Sequence, residues 1–313
     1  MTPDPATPPP VDLGGVFIPV TTPFDARTGD FDAEALGHNL ERWLRTPVRG
    51  ILIGGTTGEA VLLEPGERRR AVAMAREHVP SNRLLLCGTG AESTRATVQR
   101  TDEAAADGAD AVLVQPPGFY RALMDGRALA DHFRAVADAA RIPVLLYRVP
   151  SSCSSVELAA ELVAELSSHP NIVGIKDSSG NLDALGSYVT QADRDFQVLV
   201  GSGSKLYAAL EIGAVGGILG VANLAPSEAA AIGEAFEQGK VVEAGRIQER
   251  IAHVNASIVA KRGVPGVKAA LDLLGYRGGS PRAPLRACDR KTREEIRTVL
   301  TDGGLLDSPE GPE

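Results

Sequence analysis

Eight short aliphatic runs separated by segments of helical character constrain this chain more than any other feature: "GVFIPV", "GILIGG", "RLLLCGTG", "AVLVQPP", "PVLLYRVP", "IVGIKDSS", "FQVLVGSG" and "GGILGVAN". Their apolar residues are consecutive, not alternate, which is the pattern of strands covered on both faces, as in a parallel sheet. Between them, segments such as "AEALGHNLERWL", "ERRRAVAMAREHV" and "TRATVQRTDEAAADG" carry helical apolar spacing and good helix formers. A β-then-α unit repeated eight times predicts a (β/α)8 TIM barrel, a fold of ~250 residues. An open doubly wound sheet would announce a G-x-G-x-x-G turn after its first strand, whereas here "GVFIPV" runs into "TTPFD". After the eighth run come "PSEAAAIGEAFEQG", "VVEAGRIQERIAHVNASIVAKRG" and "PGVKAALDLLG", more helix than one barrel unit needs. The expected organisation is a disordered tail over 1–12, a barrel over 13–238, a C-terminal helical extension over 239–306 and a second disordered tail over 307–313.

Composition bears on partners. The 313 residues are 43% hydrophobic with a formal net charge of −8, and no lysine or arginine cluster offers a track for a phosphate backbone, so nucleic acid is not an expected partner. Cys87, Cys153 and Cys288 lie far apart, are odd in number and show no C-x-x-C spacing, which suggests a reducing cytoplasm and no disulfide framework. The opening "MTPDPATPPP" lacks the basic start and apolar run of a secretory signal. The longest apolar run, "GAVGGILGVANLA", falls short of the roughly 18 residues that cross a bilayer, so no membrane is expected either. His38, His78, His132, His169 and His253 all fall in helical or connecting segments instead of strand ends, which argues against a bound metal.

Barrel active sites form at the carboxyl ends of the strands, and Lys176 ends the sixth run. By strand alternation it shares a side with Gly174 and Ile172, with the small Gly174 leaving space beneath it, and points into the barrel mouth. A free lysine titrates near 10.4; burial away from carboxylates brings that to about 7, a change of about 4 kcal/mol, and makes the amine a nucleophile toward a carbonyl carbon. The competing reading is a lysine that snorkels to solvent or pairs with Asp177. Tyr147, at the end of the neighbouring fifth run, offers a phenol that both accepts and donates a proton. In "GGTTGEA" after the second run, Thr56 and Thr57 supply hydroxyl and N–H donors suited to a carboxylate, and Thr57 is placed to pass a proton to Tyr147. Taken one at a time, the tyrosine also reads as a core residue with a wet tip and the glycine turn as an ordinary turn.

Together, "GGTTGE", "VLLYRVP" and "GIKDSSG", in that order on strands two, five and six, resemble the dihydrodipicolinate synthase/N-acetylneuraminate lyase family of class I aldolases. The resemblance implies that Lys176 forms a Schiff base with pyruvate or a related 2-oxo acid, that Tyr147 is the acid/base, and that Thr56 and Thr57 bind the carboxylate and complete a proton relay. It implies no metal or organic cofactor, because the protonated imine is itself the electron sink. It also implies a homotetramer built from tight dimers, with a tyrosine reaching the neighbour's relay; in "QPPGFYRAL" the matching residue is Tyr120, since Phe119 lacks the hydroxyl. Within the family, "NRLLLCGTGAEST", "SHPNIVGIKDSSG" and "GYRGGSPRAPL" look most like 4-hydroxy-2-oxoglutarate aldolases, which release pyruvate and glyoxylate. The threonine pair departs from that subgroup and follows the synthase pattern. Synthases, however, usually read Y-N-V-P-x-R-T where this chain reads "YRVPSSCS", so Ser152 replaces the arginine that grips the second substrate's carboxylate. Arg148 follows Tyr147 and should face the other side of the strand. Ser178 matches a serine of the hydroxyoxoglutarate aldolases, placed for a distal carboxylate, and it reads equally as a loop hydroxyl. The glycines of "VGSGSK", Gly201 among them, occupy the place where many barrels grip a phosphate, or leave room for pyruvate. A synthase, a sugar-acid aldolase or dehydratase, and a barrel that binds 2-oxo acids without turnover remain the alternatives.

Overall fold

The computed structural model describes residues 11–154 and 156–307; of the tails expected over 1–12 and 307–313, residues 1–10 and 308–313 lie outside them. The eight runs are eight strands: β1 (Gly15–Pro19), β2 (Gly50–Ile53), β3 (Leu84–Gly88), β4 (Ala111–Val114), β5 (Val144–Arg148), β6 (Ile172–Asp177), β7 (Gln197–Val200) and β8 (Gly216–Ile218). Each pairs in parallel with the next, and β8 returns to β1 to close the barrel. Eight helices follow the strands in turn: α1 (Ala33–Trp43), α2 (Pro65–His78), α3 (Thr94–Ala106), α4 (Gly126–Ala139), α5 (Ala160–Ser167), α6 (Leu182–Gln191), α7 (Leu206–Ile212) and α8 (Pro226–Glu237). Their starts are set locally. The Asp32, Ser93, Asp125 and Asn181 side chains each accept a hydrogen bond from a first-turn N–H, satisfying donors that the helix itself leaves free.

Consecutive apolar residues on the strands serve two cores, as expected for a doubly covered sheet. Val16, Ile18, Ile51, Ile53 and Leu146 face the helices in one cluster, while Phe17, Leu52, Leu86, Leu145 and Leu199 fill the barrel interior in another. The strands thus form a packed plug beneath the mouth, so within the barrel the space for a ligand lies above their carboxyl ends.

The side-chain alternation expected along β6 does not hold. Val144 pairs with Ile172 and Leu145 with Gly174, so Val173 is an extra residue in the ladder. Ile172 consequently packs in the outer cluster and Val173 against the inner one, and Ile172 does not share the side of Lys176. Gly174 serves close approach instead of making space beneath the lysine, because a β-carbon there would lie 2.3 Å from the Gln197 carbonyl oxygen on β7.

Beyond α8, the chain continues through α9 (Val241–Val254), a π-helical turn over Asn255–Ala260, α10 (Lys261–Leu273) and α11 (Arg290–Asp302). Inside α10 the helix breaks at Gly263 (φ 59°, ψ −151°), a conformation open essentially to glycine alone, just ahead of Pro265. Among the described residues no helix is long and apolar enough to cross a membrane, and no three His, Cys, Asp or Glu side chains gather as a metal-binding group.

Candidate active site

At the carboxyl ends of β5 and β6, Tyr147 and Lys176 are register partners. Both are buried, at 3% and 4% exposure, and Lys176 Nζ lies 4.4 Å from the centroid of the Tyr147 ring. Pairing with Asp177, the competing reading of this lysine, is not what the structure contains. The Asp177 carboxylate accepts from Ser179 N–H at 2.8 Å and from Ser179 Oγ at 3.0 Å, and burial raises its pKa above the ordinary aspartate value. Among the described residues Lys176 makes no ion pair with any carboxylate. Its amine is buried against the barrel wall and the face of the Tyr147 ring.

The turn after β2 brings the threonines in. Thr56 Oγ1 lies 3.2 Å from the Tyr147 hydroxyl, so the contact anticipated for Thr57 is made by Thr56. Thr57 lines the same cavity, its hydroxyl toward Gly220 at the end of β8. The turn is held in shape by Thr22 Oγ1, which donates to the Gly58 carbonyl at 2.7 Å. Glu59, which closes it, has φ 57° and ψ 37° and is the single non-glycine residue of positive φ among the described residues. Such a conformation costs roughly 1–2 kcal/mol and has to be held from outside.

These groups converge on a cavity of about 310 Å³, at the lower end of the range that binds small metabolites. Thr56, Thr57, Tyr147, Ser152, Lys176, Ser178 and Gly201 all line it, so the sequence-selected residues are brought together with one exception. Ser178 Oγ fills the position next to Gly201, since a β-carbon on that glycine would be 1.8 Å away. The exception is Tyr120, which is 67% exposed, stacks edge-on against Phe119 and takes no part in the cavity of its own chain. Lys176 is the only cation in the lining among the described residues. Arg148 points elsewhere, as its place after Tyr147 requires. Its guanidinium donates to the Tyr188 hydroxyl at 3.2 Å and pairs with Glu157 at 3.4 Å.

The profile of the Dihydrodipicolinate synthetase family matches residues 12–302. The chain belongs to this family. It is 38% identical over 306 residues to a DapA-like lyase of Halobacterium salinarum, covering 97% of this chain and 98% of that one. It is equally, 38%, identical over 289 residues to a probable mitochondrial 4-hydroxy-2-oxoglutarate aldolase of Emericella nidulans, covering 91% and 92%. Among solved structures, the dihydrodipicolinate synthase of Acinetobacter baumannii complexed with pyruvate superposes with a TM-score of 0.89 at 27% identity, covering 94% of this chain and all of that one. Membership makes this protein a lyase of the class I aldolase type.

Within this family framework, the structure adds residues to the site that the motifs did not reveal. Asn255, Val259, Gly263, Val264 and Val267, all from the C-terminal extension, roof the cavity. Their sequence signal was the "RGVPG" interruption of a helical run, which marks a break but not what the break faces. Asn255 Nδ2 donates to Ser204 Oγ at 2.9 Å and so ties the π-helical turn to the loop after β7.

Proposed function

We propose that this protein is a pyruvate-dependent class I aldolase that forms a Schiff base through Lys176 and resembles 4-hydroxy-2-oxoglutarate aldolases in its substrate. The observation that carries the reading is the buried Lys176 amine, paired with no carboxylate among the described residues, within one cavity shared with the hydrogen-bonded Tyr147 and Thr56 hydroxyls. In the cleavage direction the amine adds to the C2 carbonyl of the 2-oxo acid, and loss of water gives the protonated imine. Thr56 and Thr57 anchor the adjacent carboxylate. Tyr147 takes the proton of the C4 hydroxyl, the C3–C4 bond breaks with its electron pair moving into the imine, and the aldehyde departs. Protonation at C3 and hydrolysis return pyruvate and the free amine. With Thr56 at 3.2 Å, the proton path from Tyr147 runs through that threonine.

The choice of aldehyde rests on what the lining lacks. Ser152 stands where synthases carry an arginine, and Arg148 is committed to Tyr188 and Glu157 outside the cavity. Hydroxyls of Ser152, Ser178 and Ser202 suit the small glyoxylate better than the longer aspartate semialdehyde, whose carboxylate calls for a guanidinium. The threonine pair favours the synthase as the second reading. Tyr120 completes the relay only from a neighbouring subunit. Val61, Phe119, Tyr120 and Leu123 are all large, apolar in body and at least 67% exposed, which fits a face shared with a second copy in a tetramer of tight dimers.

Reductive trapping tests the chemistry. Borohydride with pyruvate should attach a three-carbon adduct at Lys176, and Lys176→Ala should yield none; an adduct elsewhere defeats the reading. Glyoxylate should then be turned over with pyruvate in preference to aspartate semialdehyde, and the reverse preference would assign the protein to the synthases.

A further inference from the structure

The cavity has walls from two distant parts of the chain: the turn after β2, with Thr56 and Thr57, and α10, with Val264 and Val267. Behind both runs a buried ionic link. Glu59, three residues past Thr56, and Lys268, next to Val267, stand 2.5 Å apart, and neither side chain has any exposed surface (0% each). Lys268 Nζ also donates to the Ser280 carbonyl at 3.0 Å and lies 4.4 Å from the centroid of the Phe24 ring. The second carboxylate oxygen of Glu59 accepts from Arg282 N–H at 2.8 Å.

A fully buried ion pair is a poor means of gaining stability, because apolar residues of the same volume do as well or better. What a directional contact supplies, and an apolar one does not, is a fixed orientation. Glu59 needs it, since its left-handed backbone persists only where the surroundings over-determine it. Its N–H donates to the Thr56 carbonyl at 3.2 Å, and the neighbouring Gly58 carbonyl is taken by Thr22. The turn is therefore gripped at Gly58 by the barrel and at Glu59 by the extension, which leaves the threonines between Gly55 and Gly58 little freedom.

We propose that Glu59 and Lys268 are positioning residues for the carboxylate end of the cavity: their ion pair fixes the Thr56–Thr57 turn against α10, so that a 2-oxo acid meets a preformed site. This rests on the reading that Lys176 captures a 2-oxo acid. Neither residue touches the substrate; both act through the turn. The effect is expected first in substrate binding, because Lys176 stands on a strand that the pair does not reach and Tyr147 meets the turn only through its 3.2 Å contact with Thr56.

The test is to titrate pyruvate in the borohydride trapping reaction, recording both the extent of labelling at Lys176 and the pyruvate concentration that gives half of it. The Glu59→Gln/Lys268→Met double variant strands no buried charge, which spares it the main cost of breaking such a pair. Its labelling should reach the wild-type extent with the midpoint raised tenfold or more. Glu59→Asp, which keeps both charges and shortens one reach, should raise the midpoint about threefold and serves if the double variant does not fold. Arg277→Gln, which breaks the exposed pair between Arg277 of the same extension and Glu34 of α1, should change neither quantity. A pair that merely supported the fold would lower the extent and leave the midpoint in place; that result, or an unmoved midpoint at full extent, overturns the proposal. Absence of any wild-type adduct at Lys176 overturns the aldolase reading and this inference with it.

Discussion

Lys176 and Lys268 make an instructive pair. Each is buried, at 4% and 0% exposure, and each holds its side-chain nitrogen 4.4 Å from the centroid of an aromatic ring, Tyr147 in one case and Phe24 in the other. They differ in the counter-ion. Lys268 meets Glu59 at 2.5 Å and a carbonyl besides, so its charge has partners where it stands, although burial lowers its pKa in spite of Glu59. Lys176 has a carboxylate one residue away in sequence, yet Asp177 is turned outward and spent on Ser179. Burial by itself therefore does not make a lysine reactive. What distinguishes the site from the frame is that, among the described residues, the site offers its lysine no carboxylate partner.

The contrast between the two lysines breaks or holds on four measurements. The largest effect should come from Lys176→Met, which removes the nucleophile: turnover should fall on the order of 10⁴-fold or more, with urea unfolding free energy within about 1 kcal/mol of wild type. Next is Lys268→Met, with the opposite signature. Stranding the Glu59 carboxylate should cost about 3–5 kcal/mol in urea unfolding, while folded enzyme still labels at Lys176 under saturating pyruvate. Equal destabilisation by the two substitutions would mean that the two lysines play one role. Ser178→Asp sharpens the point by supplying the missing anion on the Lys176 side of the strand. It should lower turnover on the order of 10–100-fold at pH 7 and move the rising limb of the pH–rate profile to higher pH; a loss independent of pH would show that Ser178 contributes by binding substrate instead.

The smallest effect concerns the ionic frame around Lys268. The Arg282 guanidinium hydrogen-bonds the Glu67 carboxylate and, with the Glu64 and Phe31 N–H groups helping and burial opposing, lowers its pKa to about 2. A folded-state pKa below the unfolded value means that this group adds stability at neutral pH, which is lost as pH falls from about 4.5 toward 2. Arg282→Gln should flatten the stability–pH curve in that window, as read by thermal unfolding at several pH values.

The strand ends are the most legible part of the molecule. Lys176, Tyr147 and the threonine turn can be picked out of the chain because a parallel barrel opens to ligands only at the carboxyl end of each buried run, and all of them line one cavity. Finer matters escape the pattern. Strand alternation puts Ile172 on the wrong side because a one-residue bulge at Val173 leaves no mark in hydropathy. The choice between Thr56 and Thr57 needs the actual path of a glycine-rich turn, which spacing does not specify. Asn255, Val259 and Val267 read as ordinary helix residues, for their role depends on where the extension folds back.

What the amino-acid order decided alone was local: eight doubly buried strands, their helices, and which chemical groups stand at which strand ends, since each arises from periodicity within a few residues. The tertiary structure decided which charges meet. Glu59 and Lys268 come from opposite ends of the chain, whereas Lys176 and Asp177 are neighbours that never pair, and only chain closure and side-chain direction, both set by long-range packing, separate those two outcomes.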